Sequence, residues 1–201
     1  LRRCYELYLE DPTRAPTILF IKEGVHEVDE DYLNICYPLK IVGAGRDKTI
    51  IHGGFRILGT KEEGKNVDMQ GMTMKGSRSS GLYNDNGLSF SCKDMTFTQC
   101  GIHGVIAHNT KGRLINCVIT QCVYDGISCG ENALIELEGD QTKVEWNVTN
   151  GDSYHYGLNT WNTSSRIHLL FPLTKESVST NNHGGRNYGG INGTIQTVDS
   201  F

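Results

Sequence analysis

Proline is scarce in this chain, at four of 201 residues, and no apolar run approaches the roughly 18–20 residues of a membrane-spanning helix. A basic run is also missing. The formal charge is −4 and the pI about 6.0, which argues against a protein that grips nucleic acid by its phosphates. The seven cysteines show neither a CxxC pair nor the Cys/His spacing of a zinc site, so no metal and no cofactor is expected. They read instead as small, buried, reduced side chains, which leans toward a reducing compartment. Sequons at Asn147, Asn162 and Asn192 would suit a secreted protein instead. No signal-like segment is visible, and a chain that begins at Leu1 rather than Met reads as part of a longer one.

What the chain does have is glycine, at 24 residues, and a repeat. Met95-Thr-Phe-Thr-Gln-Cys-Gly-Ile-His-Gly-Val105 aligns with Cys117-Val-Ile-Thr-Gln-Cys-Val-Tyr-Asp-Gly-Ile127, every position 22 apart. Met72-Thr-Met74 and Gly81-Leu82 extend the pattern one unit toward the N-terminus. A period in the low twenties, rich in β-formers and recurring glycine, predicts a solenoid in which like residues stack from coil to coil. Met72, Met74, Met95 and Phe97 then point inward as core, and Cys100 stands one coil from Cys122.

Residues 1–12 place Leu1, Cys4, Tyr5 and Tyr8 on one helical face before Asp11-Pro12 ends the helix, as a cap over the open end of the core. Residues 16–135 read as regular coils and 136–201 as coils with longer loops, all in one domain. The segment Leu39-Lys-Ile-Val-Gly-Ala-Gly-Arg-Asp-Lys-Thr-Ile-Ile-His-Gly53, followed by coils of about 22 residues, resembles the opening of pectin methylesterases and related proteins. This resemblance to the pectin lyase-like superfamily covers roughly residues 16–195 and implies an all-β, single-stranded right-handed parallel β-helix of about seven or eight coils. The catalytic motifs of its enzymes are not matched. Asn109-Thr-Lys111, Ile102-His-Gly104 and Arg166-Ile-His168 are near misses for polygalacturonase motifs, without their acids and in the wrong order.

Stacking also predicts chemistry. The residue before each corner glycine projects to one outer line, through Ser80, His103, Asp125, Tyr156 and then Gly189, with coils about 4.8 Å apart. His103 and Asp125 become neighbours, with His155 close by, an acid/base set if the protein is an enzyme. Tyr154, Trp161, Arg186 and Tyr188 lie in the longer loops and are the candidate ligand contacts. Recurring Thr73, Thr96 and Thr120 read as a ladder that braces the sheet. The expected function is a non-catalytic scaffold that binds a polysaccharide or a protein along its outer face and C-terminal loops. The alternative is a uronate lyase, epimerase or hydrolase. No nucleic acid and no membrane is expected as a partner. The last strand, Thr194–Val198, leaves an edge that a cap or another copy of the chain would cover.

Overall fold

The structure, a computed structural model, describes residues 1–59, 61, 64–150, 153–162, 164–183 and 186–199. It is an all-β parallel solenoid with one short N-terminal helix, Arg2–Glu10. Each coil crosses three faces. The first face stacks eight strands in chain order, from Ile18–Ile21 and Lys40–Gly43 through Ser89–Lys93 and Lys111–Ile115 to Arg166–Leu170 and Thr194–Val198. The second face carries Thr73–Lys75, Thr96–Thr98, Val118–Thr120, Lys143–Glu145 and Ser179–Thr180. The third carries Leu82–Asp85, Val105–His108, Ile127–Gly130, Leu158–Trp161 and Tyr188–Ile191. One long strand, Thr49–Ile57, joins the last two, since residues 50–52 pair with the second face and 55–57 with the third. It bends at Gly53, which has φ +151°, and a Cβ there would sit 2.7 Å from Val28 Cβ.

Period-2 alternation sends every other side chain inward. On the second face Ile51, Met74, Phe97, Ile119 and Val144 stand in one register column, all of them buried. On the third, Phe55, Leu82, Val105, Ile127 and Leu158 form another. The methionines are core, as the repeat implies, and all seven cysteines are free thiols. The helix lays Leu1, Cys4, Tyr5 and Tyr8 against this core, with Tyr8 stacked on Tyr37 at 4.5 Å. Its exit is the extended Asp11, whose carboxylate accepts the Thr13 amide.

The corners repeat too. Gly76, Gln99, Gln121, Trp146 and Asn181 open successive corners between the second and third faces, each with φ between 55° and 62°. Asn86, Asn109, Asn162 and Asn192 stand at corners between the third and first, with φ between 45° and 64°. Left-handed backbone is tolerated best by glycine and by short amides, which also bond along the stack. Asn109 Nδ2 donates to Asn86 Oδ1 at 2.6 Å, and Gln99 Nε2 to Gln121 Oε1 at 3.2 Å.

Three details depart from the simple repeat. Thr120 pairs with Thr98, while Thr96 pairs with Thr73, so there are two short threonine ladders rather than one. Ile119 pairs with Val144 and Ile127 with Leu158, so most of the extra residues of this coil fall at the corner between Val144 and Leu158. Asn147 is buried there, its amide bonded to Ile119, Cys122, Glu145 and Asn182, which removes this sequon from the exposed sites.

Candidate functional site

The corner between the second and third faces builds the candidate site. Gly81 N–H donates to His103 O, Gly104 N–H to Asp125 O, Gly126 N–H to Tyr156 O and Gly157 N–H to Arg186 O. These bonds stack Ser80, His103, Asp125, Tyr156 and Arg186 in one line. Arg186 occupies the place that the glycine pattern assigns to Gly189, because the corner position opposite Gly157 is Asn187 in this coil and not a glycine. Glycine is required at 104 and 126. A Cβ would approach Ile119 Cγ2 to 2.3 Å at the first and Val144 Cγ1 to 2.4 Å at the second.

The line is less exposed than an outer surface. His103 has 10% of its side chain exposed, His155 16% and Asp125 none. Tyr124 and the 153–157 segment fold over the carboxylate, with the Tyr124 ring stacked on His155 at 4.4 Å and 19°. His103 Nδ1 is 3.2 Å from Asp125 Oδ2, and His155 Nδ1 is 3.2 Å from Asp125 Oδ1. Oδ1 also accepts the Tyr156 amide at 2.7 Å and Asn159 Nδ2 at 3.0 Å. Among the described residues, Oδ2 has no aligned hydrogen-bond donor. The lone pair of His103 Nδ1 takes the Asp125 backbone N–H at 3.2 Å instead. Burial alone would raise the Asp125 carboxyl, yet His103, His155 and the Tyr156 amide hold it below its ordinary value.

Beside this cluster lies an apolar pocket of about 220 Å³, lined by Tyr154, Tyr156, Asn159, Thr160, Trp161, Gly190 and Ile191. Strand alternation explains it. Leu158 and Thr160 point inward, so Asn159 and Trp161 face out, and Trp161 pairs in register with Ile191. Gly190, at φ +139°, lets its strand close onto the neighbouring one, since a Cβ would meet Thr160 O at 2.1 Å. Asn159 joins the two parts, lining the pocket while it donates to Asp125. Arg186 lies 5.9 Å from the Tyr156 ring centre and donates to Ser153 O, so it braces the loop.

Five of the eight sequence candidates, His103, Asp125, His155, Tyr154 and Tyr156, thus meet around this corner, and Trp161 faces the same pocket. Arg186 supports it from behind. Tyr188 does not reach it: it stands in the inward column below Leu158, and its hydroxyl donates to Glu176 Oε1 at 3.2 Å. Sequence reading passes over Asn159 and Ile191, which only the strand register brings to the pocket. It also passes over Asp85, His108 and Glu131, whose ligand atoms gather at the corner between the third and first faces.

A wider concavity, about 690 Å³, lies on the first face among Lys61, Asp68, Phe90, Lys111, Arg113 and Glu136. It is open and mixed in charge, and Arg113 is already paired with Glu138 at 2.8 Å. No protein-family model, no curated protein and no solved structure matches this chain.

Proposed function

We propose that the chain is a carbohydrate-binding β-solenoid, right-handed and of the pectin lyase-like kind, whose binding site is the aromatic pocket of the third face. The observation that carries this reading is the convergence of Trp161, Tyr154 and Tyr156 with Asn159 on one small cavity. Aromatic faces offer apolar platforms to the C–H faces of a sugar ring, and a few fixed polar groups set its orientation. At about 220 Å³ the cavity is smaller than the roughly 300–1,000 Å³ of pockets for drug-sized ligands, which suits one ring rather than a length of chain. The resemblance of residues 39–53 to pectin-active proteins supports sugar over a protein partner.

A second reading, a polysaccharide lyase, epimerase or hydrolase, is favoured by the meeting of His103, Asp125 and His155 beside that pocket. In it His155 carries the proton and Asp125 orients it, because a fully buried carboxylate reaches no substrate.

Trp146→Phe leaves Trp161 as the only tryptophan, so its fluorescence reports the pocket directly. Titration of that variant with oligosaccharides of pectate, alginate, glucuronan and neutral glucans is expected to give a saturable change with at least one. No change with any of them rejects the carbohydrate reading. New reducing ends or unsaturated-product absorbance, lost in His155→Ala, would replace binding by catalysis.

A further inference from the structure

We propose that His103, Asp125 and His155 form a site for one divalent transition-metal ion, with zinc as the best fit. Three ligand atoms from three successive coils lie within 4.8 Å of one another, two imidazole nitrogens and a carboxylate oxygen. Atoms held about 2.0–2.1 Å from a tetrahedral zinc stand about 3.3 Å apart. Here His103 Nδ1 lies 3.2 Å from Asp125 Oδ2 and His155 Nδ1 lies 3.2 Å from Oδ1, so the two imidazoles approach the carboxylate from its two oxygens.

The carboxylate supplies the independent observation. Asp125 is fully buried, and its two oxygens are not equivalent. Oδ1 holds the Tyr156 and Asn159 donors, the kind of outer support that orients a ligating carboxylate. Oδ2 has no aligned hydrogen-bond donor among the described residues, with only the His103 ring 3.2 Å away, although a buried carboxylate oxygen left so is costly. The nearest nitrogen, His103 Nδ1, cannot satisfy it while accepting the Asp125 amide. That bond uses the Nδ1 lone pair, the same lone pair that an ion would take over. The stack of Tyr124 on His155 fixes the plane of the second ring.

One carboxylate and two neutral imidazoles match the His/carboxylate sets of zinc and of other first-row ions, and leave further positions to water or to a ligand entering from the pocket side. Cys/His spacing gives no hint of this site, because its ligands come from corners 22 and 30 residues apart that meet only in the coiled structure. The proposal is independent of whether the pocket binds a sugar.

The test is zinc uptake by the tag-free full chain, stripped with chelator and dialysed, measured by elemental analysis and by calorimetric titration. One equivalent per chain is expected, with a raised melting temperature. Cobalt, substituted for zinc, is expected to give visible d–d absorption that zinc displaces. His155→Ala and Asp125→Asn should each weaken zinc binding at least about tenfold, whereas His108→Ala, in the separate Asp85–His108–Glu131 group, should leave it unchanged. Should a variant not fold, wild-type stoichiometry still decides. A wild-type chain that takes up no zinc and no cobalt overturns the proposal, as does zinc binding lost in His108→Ala but kept in His155→Ala.

Discussion

Phe90 fills the space that any side chain at position 112 would need. The two residues are register partners on neighbouring strands of the first face, and a Cβ on Gly112 would lie 2.2 Å from Phe90 Cζ. Core volume is thus traded between adjacent coils rather than held constant in each. Gly112→Ala is expected to destabilise by about 1–3 kcal/mol through overpacking. Phe90→Leu in the same chain should restore most of that loss, because it frees the space the methyl enters. Thermal melts of the two singles and the double decide it, and a Gly112→Ala chain as stable as the wild type contradicts the packing described.

The repeat register makes a second prediction. Removing residues 96–117 joins Met95 to Val118 and deletes one full coil, leaving Met74 to stack on Ile119 as it now stacks on Phe97. A quasi-one-dimensional array tolerates the loss of a unit better than a defect inside one. Phe97→Asp places an unpaired charge in a fully buried column, where no partner compensates its desolvation. The deletion should keep a cooperative melt and a β-type circular dichroism spectrum, and Phe97→Asp should lose both. Equal damage from the two would contradict the register.

Most of this fold is legible in the sequence, because a solenoid writes its register into a period. Phe97 over Ile119, Gln99 over Gln121 and His103 over Asp125 follow from the 22-residue spacing alone. Legibility fails where insertions enter. Val144, 25 residues on rather than 22, continues the Ile119 column, and Arg186, not Gly189, continues the line of Asp125 and Tyr156. A pattern of like residues does not say on which side of a strand extra residues are looped out; the hydrogen-bond ladder does. Burial of the site is the other miss. Spacing puts Asp125 on an outer line, but only the folded 153–157 segment and Tyr124 turn that line into a covered cluster.

Thiol chemistry checks the interior independently. Burial pushes the Cys117 and Cys129 thiols up to about 12 and raises Cys92 well above its usual value. Its neighbour Cys100, together with burial, does the same to Cys122. At pH 8 these groups stay protonated and covered, so they should not react with a disulfide reagent in the folded chain. Cys4 and Cys36, half-buried near the N-terminal helix, should account for all fast reaction, with seven thiols titrated in guanidinium. Fast reaction of more than two in the native protein would mean that the core columns are open.

His168 should make stability fall on acidification. It lies on the first face between Glu136 and Gln196, and its Nε2 is buried without a hydrogen-bond partner. Burial, then the neighbouring Arg166, lower its pKa from 6.5, against the opposing pull of Glu136. The unfolded chain therefore binds this proton first, and stability is lost as pH drops below about 6.5 toward the lowered folded value. His168→Gln should flatten that part of the profile in urea unfolding between pH 7.5 and 5.5. An unchanged slope in the variant would remove His168 as its source.

The central claim is that Trp161 and its neighbours hold a sugar. The most direct measurement is calorimetric titration of wild type, Trp161→Ala and Trp146→Ala with the tightest-binding oligosaccharide. Trp161 lies 45% exposed in the pocket, while Trp146, 56% exposed, lines a separate concavity with Asn147, Asn181 and His183. An aromatic anchor contributes about 2 kcal/mol or more, so Trp161→Ala should weaken binding about thirtyfold. Trp146→Ala should bind like the wild type. Binding that survives Trp161→Ala and fails in Trp146→Ala would place the ligand elsewhere on the solenoid and contradict the account.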